Sequence, residues 1–480
     1  MPINNFLLPG AKFIKPYEVA NSCRWNDGDS PYMHRTISAS NRRTFTISFW
    51  IKRSKLGSPQ QCIFSAGDDA STPLSFIGFN TSDQLNYWEY SNNSTEVFDL
   101  KTTRVFRDVG SWYHICIAVD TTQATESNRV KYYINGVQDT AVATGGTNDY
   151  PATQSQELSI NEGDGHYIGR YGYSSDSYFD GYIAEFCFID GTAYTASDFG
   201  EFDDDSPTIW KPKDVSGLTF GTNGAYLDFE DSSNLGNDAN GGTDWTEVNL
   251  AAADQATDTP TNSFATLNPL QTNLTLSEGN TTATTTNYKY AVSTMAVSSG
   301  RWYMEMKVTH ACMIMGIQDM IKANDGLRNT AIFWSSGSEA FHLDGFSKFS
   351  NDSYGDISSD ASDYPTYTNG DIIGMALDLD NNKLQYSKNG TWYNSANPGS
   401  GTSNMETIDA SSTLTSGFYG IVVGDTCSAS DGTFYMNFGG SSGFSISSAN
   451  QDGNGYGNFE YSVPSGYLSL CTKNLGSDGG

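Results

Sequence analysis

Two stretches of the sequence combine aromatic rings with small polar residues, a combination suited to recognising carbohydrate. They are Asn86-Tyr-Trp-Glu-Tyr-Ser91 and Arg170-Tyr-Gly-Tyr-Ser-Ser-Asp-Ser-Tyr178. Aromatic side chains line ligand pockets, and neighbouring polar groups fix the orientation of the ligand. The Gly and Ser residues of the second stretch should leave its tyrosines room to project. The predicted glycan-binding residues are Tyr171, Tyr173, Asp176, Tyr178 and Trp88.

The first stretch has a second interpretation that stays open at this point. The alternation of Tyr87, Trp88 and Tyr90 is also typical of a strand whose two faces are both packed. In that case the rings would fill space between layers of the fold and would not meet a ligand. The sequence alone does not decide between packing and binding for these three side chains.

The carboxylates and histidines form no recognisable catalytic pattern. Glycosidases pair an acid with a nucleophile or base, and Glu-x-Asp-x-Glu on one strand would put such carboxylates on one face. The nearest run, Asp228-Phe-Glu230, has only two members. The five histidines lack HExxH spacing, and neither a Gly-x-Ser-x-Gly elbow nor a Gly-Lys-Ser/Thr phosphate loop occurs. The sequence therefore predicts a protein that is not an enzyme.

The composition of the chain argues against several kinds of protein and of binding partner. The chain has 480 residues, with 26 Lys+Arg against 55 Asp+Glu and a formal net charge of −29. That charge repels nucleic-acid phosphates and anionic lipid, so we expect neither partner. No apolar run approaches the roughly 20 residues that cross a bilayer. The seven cysteines are scattered without a CxxC pair, which favours neither a zinc site nor a disulfide framework.

The elements that must position these residues are strands. The 48 glycines and 13% aromatic residues suit turns and pleated faces. Phe45, Ile47, Phe49 and Ile51 alternate with Thr44, Thr46 and Ser48, which predicts a half-buried strand. Asn135-Gly136 joins two further strands and is a strong hairpin signal.

A second region shows the same alternation, for example in the row Trp302, Met304, Met306 and Val308, and in Ile373, Met375, Leu377 and Leu379. Between the two regions, residues 232–265 are rich in Asp, Asn, Gly and Thr, which is typical of loops. We predict an all-β fold of two antiparallel β-sandwich (jelly-roll) domains joined by a loop-rich connector.

Several motifs in order resemble known families. Thr44–Ser54, Ser111–Asp120, Tyr132–Val137 and Phe179–Phe186 resemble the laminin-G-like, concanavalin A-like jelly roll. Gly300–Glu305, Met315–Asp319, Asn369–Asp380 and Phe434–Phe438 are similar to a SPRY domain. The predicted organisation is an N-terminal arm (1–19), the jelly roll (20–205), the connector (206–268), the SPRY-like sandwich (269–445) and a C-terminal segment (446–480).

The whole arrangement is similar to structural proteins of marine phages, through segments such as Gly217–Gly221, Leu267–Leu270 and Gly466–Cys471. The resemblance implies a virion fibre, spike or decoration protein that binds host-surface glycan or another surface ligand. It implies other virion proteins as partners, and we expect a homo-oligomer. The apolar, Pro/Gly-broken segment Phe6–Ile14 either packs as an edge on the jelly roll or is an arm that docks on another virion protein. A purely architectural capsid or tail component and a glycan-degrading depolymerase are the alternatives.

Lectin-like jelly rolls often hold calcium in loops, because carboxylate and carbonyl oxygens suit a hard cation. The resemblance implies Asp68, Asp69, Asp164, Asp176 and Asp180 as possible ligands. No linear motif links them, and aspartate is equally common as a turn former. We therefore expect no obligate cofactor, with Ca²⁺ as the one possibility.

Overall fold

The computed structural model describes residues 16–478 except 145, 273, 286–288, 311–312, 321–339, 344–347, 351–366 and 426–431. The first fifteen residues of the predicted arm therefore lie outside the described residues. Strands dominate, and the prediction of an all-β fold with two antiparallel sandwiches is confirmed. The described cysteines are buried and unpaired.

The first sandwich and the chain that follows it contain eighteen strands in chain order. These are β1 (Ser22–Trp25), β2 (Tyr32–Thr36), β3 (Thr44–Arg53), β4 (Gln61–Ala66), β5 (Leu74–Phe79), β6 (Gln84–Asn92), β7 (Thr95–Val105), β8 (Tyr113–Asp120), β9 (Val130–Ile134), β10 (Val137–Asp139), β11 (Val142–Thr144), β12 (Gly165–Ile168), β13 (Gly181–Asp190), β14 (Gly200–Phe202), β15 (Trp210–Pro212), β16 (Ala225–Leu227), β17 (Thr246–Val248) and β18 (Gln255–Ala256).

Two sheets enclose the first core. Sheet A has the order β10-β9-β8-β3-β13-β1-β18, with β16 also paired to β13, and sheet B has the order β11-β7-β6-β5-β4-β12-β2-β17. The predicted inward row of β3, Phe45 to Ile51, is fully buried in this core. Asn135 and Gly136 both adopt positive φ, as the predicted two-residue turn requires.

The outer face of sheet A is covered, so the half-buried β3 predicted from alternation is wrong. Thr46 is 0% exposed and donates to the Thr192 carbonyl, and Ser48 is 1% exposed and bonds Nε2 of His114 at 2.9 Å. A second apolar layer from residues 196–226 packs there, around Phe199 and Phe220. The polar residues in the alternating pattern of β3 therefore form hydrogen bonds on the covered face. Water reaches neither face of this strand.

The predicted connector is loop-rich, but it joins the sheets of the first sandwich. Strand β16 pairs with β13, β17 extends sheet B beside β2, and β18 extends sheet A beside β1. Trp245, inside this segment, is 1% exposed in the first core. The chain between residues 206 and 268 therefore contributes to the same body as the jelly roll.

The second sandwich is built from β19 (Thr275–Ser277), β20 (Thr282–Thr285), β21 (Tyr290–Val297), β22 (Arg301–Val308), β23 (Met313–Asp319), β24 (Ala340–Leu343), β25 (Lys348–Ser350), β26 (Ile372–Asp378), β27 (Lys383–Lys388), β28 (Thr391–Trp392), β29 (Glu406–Thr407), β30 (Tyr419–Asp425), β31 (Gly432–Asn437) and β32 (Leu468–Ser469). One sheet runs β19-β20-β31-β22-β26-β27-β28, with β29 and β32 at its margins, and the other runs β21-β30-β23-β24-β25. The predicted rows on β22 and β26 are both in its core.

In the described part of the chain, helical structure is confined to short pieces. Among the described residues an α-helix, α1 (Thr472–Asp478), follows β32 near the end of the chain. The 3-10 turns are Asp27–Asp29, Glu126–Asn128, Ala196–Asp198, Ala252–Asp254, Pro269–Gln271, Tyr393–Ser395, Pro398–Ser400 and Ser411–Thr413.

The C-terminal segment is fastened to the second sandwich by Glu305 of β22. This buried carboxylate accepts the backbone N–H groups of Glu460 and Tyr461, both at 2.9 Å, and the hydroxyl of Tyr303 at 3.0 Å. Strand β32 then runs parallel to β22.

The second sandwich packs against the same side of sheet A. Oη of Tyr182 donates to the Gly279 carbonyl at 2.9 Å, and Asn280 donates to the Ser54 carbonyl at 3.0 Å. Nη2 of Arg24 lies 2.8 Å from Oε2 of Glu278. Sheet A therefore supports the rest of the molecule, and the outer face of sheet B is the face that these contacts leave free.

Candidate ligand-binding face of sheet B

Five side chains form a straight row across the outer face of sheet B. Trp88 pairs with Phe76, Phe76 with Ser65, Ser65 with Tyr167, and Tyr167 with His34. Directly opposed residues of neighbouring strands point to the same side of a sheet. The row therefore carries four rings, interrupted at its centre by a small hydroxyl.

At one end of the row, rings pack into a compact group that we call the aromatic cluster (Phe76, Trp88, Tyr90, Tyr171 and Tyr173). The Trp88 ring stacks on Phe76 with 5.4 Å between centroids and 6° between planes, and Tyr171 meets its edge at 5.2 Å. Tyr90 lies edge-on to Trp88 at 5.3 Å, and Tyr173 lies 6.1 Å from Tyr171. Trp88, Tyr90 and Tyr173 remain partly exposed, so the cluster has a ring surface open to solvent.

The loop after β12 is held rigidly over the centre of the row. Oγ of Ser65 donates to the Arg170 carbonyl at 2.9 Å and accepts from the Gly172 N–H at 3.0 Å. The Tyr171 N–H donates to the Asp176 carbonyl at 3.0 Å and closes the loop. The small residue at the centre of the row therefore lets this loop approach the sheet and place its tyrosines.

The predicted binding residues are brought together in part. Trp88, Tyr171 and Tyr173, predicted in two separate stretches, form one cluster. Asp176 is exposed at the loop tip, where it accepts from the Ser177 hydroxyl at 2.8 Å. Tyr178 is half-buried, and within the described residues its ring contacts none of the cluster rings.

The expectation that Tyr171 projects freely is wrong. Its side chain is 8% exposed because the ring packs over Phe76 and Cys62. Burial raises its pKa, with smaller contributions from neighbouring acidic groups. Tyr171 thus supports the cluster from below, while Trp88 and Tyr173 provide its open surface. Whether these residues bind glycan stays a prediction.

The other end of the row holds a cation that sequence reasoning did not single out. Cζ of Arg170 lies 3.7 Å from the centroid of Tyr32 and 4.6 Å from that of Tyr167. Oη of Tyr167 donates to Oδ2 of Asp68 at 3.0 Å, and burial together with Asp68 raises the Tyr167 pKa to about 12. His34 stacks on Tyr167 at 6.2 Å. Only the spacing of Tyr32 and His34, two residues apart, signalled a shared face.

The predicted calcium ligands do not form a ligand set. Asp69 accepts from the Ser71 N–H and hydroxyl, and Asp164 accepts from the Gly165 N–H, so both close local turns. Asp180 is buried, and burial and then the neighbouring Asp27 raise its pKa well above the usual range. In the part of the chain that the structure describes, no three histidine, cysteine or carboxylate side chains come together as a metal site. Calcium binding stays a prediction.

The buried His114 is a packing residue. Its Nδ1 accepts from Nε1 of Trp210 at 3.1 Å, so Nε2 carries the proton shared with Ser48. Burial lowers its pKa to about 3, and the ring stays neutral. Among the described helices, none is long and apolar enough to span a membrane.

A comparison with protein families finds a match within the first sandwich. Residues 27–198 match the family model of the concanavalin A-like lectin/glucanases superfamily. No curated protein matches the chain.

Solved structures provide remote likenesses. A SAP-like pentraxin from Limulus polyphemus is 16% identical over 37% of this chain and 80% of its own, with a TM-score of 0.28. The SPRY domain of human HERC1 is 12% identical over 35% of this chain and 96% of its own, with a TM-score of 0.27. Domain 4 of AbnA, a GH43 extracellular arabinanase from Geobacillus stearothermophilus, in complex with arabinotriose, is 20% identical over 33% of this chain and 64% of its own, with a TM-score of 0.23.

Proposed function

We propose that this chain is a non-catalytic structural protein of a phage virion that binds host-surface glycan through the outer face of sheet B. The aromatic cluster carries the proposal. It presents the partly exposed Trp88 and Tyr173 on the outer face of sheet B, opposite the sheet A face that the layer of residues 196–226 covers. Partly exposed rings beside polar side chains suit a ligand with both apolar faces and hydroxyls.

The polar groups that a sugar needs lie beside the rings. Nδ2 of Asn93 donates to Oη of Tyr173 at 2.9 Å, and Asp176 is exposed on the same loop. Tyr173 is therefore held in place while its ring edge stays open. Because the loop and the sheet are tied through Ser65, little ordering is required when a ligand binds, which favours affinity.

A glycan array probed with the full chain tests the binding. We expect Trp88→Ala to weaken binding by about tenfold or more, corresponding to about 1.4 kcal/mol. Phe418→Ala is the matched control, because Phe418 is 48% exposed on the second sandwich, away from the cluster. Equal loss in both variants, or no glycan bound by the parent chain, would refute the assignment.

The virion role and the absence of catalysis are tested separately. Incubating the chain with host envelope should release no new reducing ends, and their release would favour the depolymerase. Locating the chain in a virion density map distinguishes a host-facing fibre, spike or decoration from a purely architectural component. Light scattering of the purified chain measures the expected homo-oligomer.

A further inference from the structure

Arg170 differs from the other described arginines in what its guanidinium contacts. Each of the others forms an ion pair with a carboxylate or donates to a backbone carbonyl, as Arg53 does with Asp83 and Arg129 with the Pro151 carbonyl. Within the described residues Arg170 forms no ion pair, and its buried Nε has no acceptor. In a chain with 55 Asp+Glu, this lack of a carboxylate partner is notable.

Two tyrosine side chains fix the position of the Arg170 guanidinium. The faces of Tyr32 and Tyr167 attract the guanidinium through their π systems. The Asp68 carboxylate accepts from the Tyr167 hydroxyl through Oδ2, and within the described residues it forms no ion pair with Arg170. Because its backbone carbonyl is also held by Ser65, the guanidinium is oriented before any ligand arrives.

We propose that Arg170 binds the anionic group of an acidic sugar in the glycan whose neighbouring units contact the aromatic cluster. This inference rests on the proposed function, since it assigns the ligand class of the same face. A guanidinium presents a planar fork of N–H donors that matches the oxygens of a carboxylate, and it also binds other oxyanions. The group is therefore a carboxylate or a sulfate ester.

The row sets the size of the ligand. Trp88 and Tyr167 are separated by three strand-to-strand steps, through Phe76 and Ser65. At about 4.8 Å per step their backbones lie roughly 14 Å apart. A ligand that reaches from Trp88 to the guanidinium beside Tyr167 must be an oligosaccharide.

The overall charge limits how acidic that oligosaccharide is. A chain with a net charge of −29 repels a densely charged polyanion at long range. An isolated acidic sugar among neutral ones avoids most of this repulsion and still meets Arg170. We therefore expect selection of sparsely acidic glycans over both neutral and highly charged ones.

The test uses the full chain and three versions of one oligosaccharide probe by calorimetry. The first carries a single uronic acid, the second has that carboxyl reduced to the alcohol, and the third carries a sulfate ester there. We expect the parent chain to bind at least one acidic probe about tenfold more tightly than the neutral probe. The acidic probe that is preferred identifies the anionic group.

Arg170→Gln should remove this preference and leave affinity for the neutral probe unchanged. Arg170→Lys keeps the charge but loses the planar fork of donors, so it should retain part of the preference. Retained preference in this variant shows that the loop still folds when Arg170 is replaced. Arg301→Gln is the matched control, because Arg301 is 41% exposed in an ion pair with Asp380 on the second sandwich. A preference that survives Arg170→Gln, or no preference in the parent chain, would overturn this inference. If the parent chain bound neither the neutral nor the acidic probes, the proposed function would be refuted instead.

Discussion

Nζ of Lys52 lies 2.7 Å from Oδ2 of Asp258, and both side chains are 1% exposed. Oδ1 of Asp258 accepts from Nε1 of Trp112 at 2.9 Å, and Lys52 also donates to the Ser263 hydroxyl and the Phe264 carbonyl. Lys52 belongs to β3, whereas residues 258–264 lead into the second sandwich. This buried ion pair therefore fixes the chain between the two sandwiches against sheet A.

Removing one member of that pair should be strongly destabilising, because the other charge is left buried and uncompensated. We expect Lys52→Met to lower the free energy of unfolding by about 3–5 kcal/mol, measured by urea denaturation. Adding Asp258→Leu should recover part of the loss. The control is Lys211→Met, whose ion pairs are more exposed and worth about 0–1 kcal/mol. Equal effects of Lys52→Met and Lys211→Met would contradict the role of the pair.

Glu89 should make stability depend on pH. Its carboxyl accepts hydrogen bonds from the hydroxyl and N–H of Ser159 and from the hydroxyl of Tyr87, and burial raises its pKa to about 8. The folded state keeps this proton at neutral pH and the unfolded state releases it. The Glu89 contribution to the unfolding free energy therefore falls as pH rises from about 4.5 to about 8.

Glu89→Gln carries no titrating proton and should escape that loss. Relative to the parent chain, the variant should gain stability across this window by about 1.4 kcal/mol per pH unit and level off above it. Urea denaturation at a series of pH values measures the difference. Parallel curves for the two proteins would show that Glu89 does not hold a proton in the fold.

Gly136 should tolerate alanine poorly for two separable reasons. Its φ is +81°, and a Cβ there would lie 2.3 Å from the ring of Trp210. Gly57 has a φ of +74° with nothing within 4 Å of its Cβ position, so it isolates the backbone contribution. We expect Gly57→Ala to lower the free energy of unfolding by about 1–2 kcal/mol. Gly136→Ala should lower it by about 1–3 kcal/mol more. Thermal denaturation of both variants checks this ranking.

The Glu305 carboxylate should control the mobility of the C-terminal segment. Glu305→Ala leaves the N–H groups of Glu460 and Tyr461 without their acceptor. Each unsatisfied group should destabilise the docked segment by about 1–3 kcal/mol. Their amide hydrogen exchange should quicken by roughly tenfold or more. Glu126→Ala, on an exposed turn, should leave both amides unchanged. Unaltered exchange in Glu305→Ala would mean that other contacts hold the segment.

Much of the fold could be predicted because it depends on local patterns. The alternating rows of β3, β22 and β26 and the Asn135-Gly136 turn all depend on residues close in sequence. The covering of sheet A could not be predicted, because Thr46 bonds Thr192 and Ser48 bonds a histidine 66 residues away. Alternation identifies two faces of a strand but does not show what lies against the outer one.

The residues of the candidate site could be predicted from the sequence, but the way in which they come together could not. Trp88 and Tyr173 were recognised separately, but their meeting requires the β6-β5-β4-β12 order and a loop that crosses Ser65. Tyr171 was expected to project because small residues surround it. Those residues instead let the loop lie close to the sheet, which buries the ring. Arg170 was overlooked because its partners Tyr32 and Tyr167 are distant or lie outside the aromatic stretch.

The two sheets of the first sandwich differ in how many structural contacts they carry. This difference affects how such a protein can change its binding specificity. Contacts that hold the molecule together converge on sheet A, whereas Trp88 and the loop that carries Arg170 and Tyr173 lie on the outer face of sheet B. Substitutions at exposed positions of sheet B therefore put few structural contacts at risk. Specificity for a new ligand can then vary by exchange of a few exposed side chains, without compensating mutations at the junction between sandwiches.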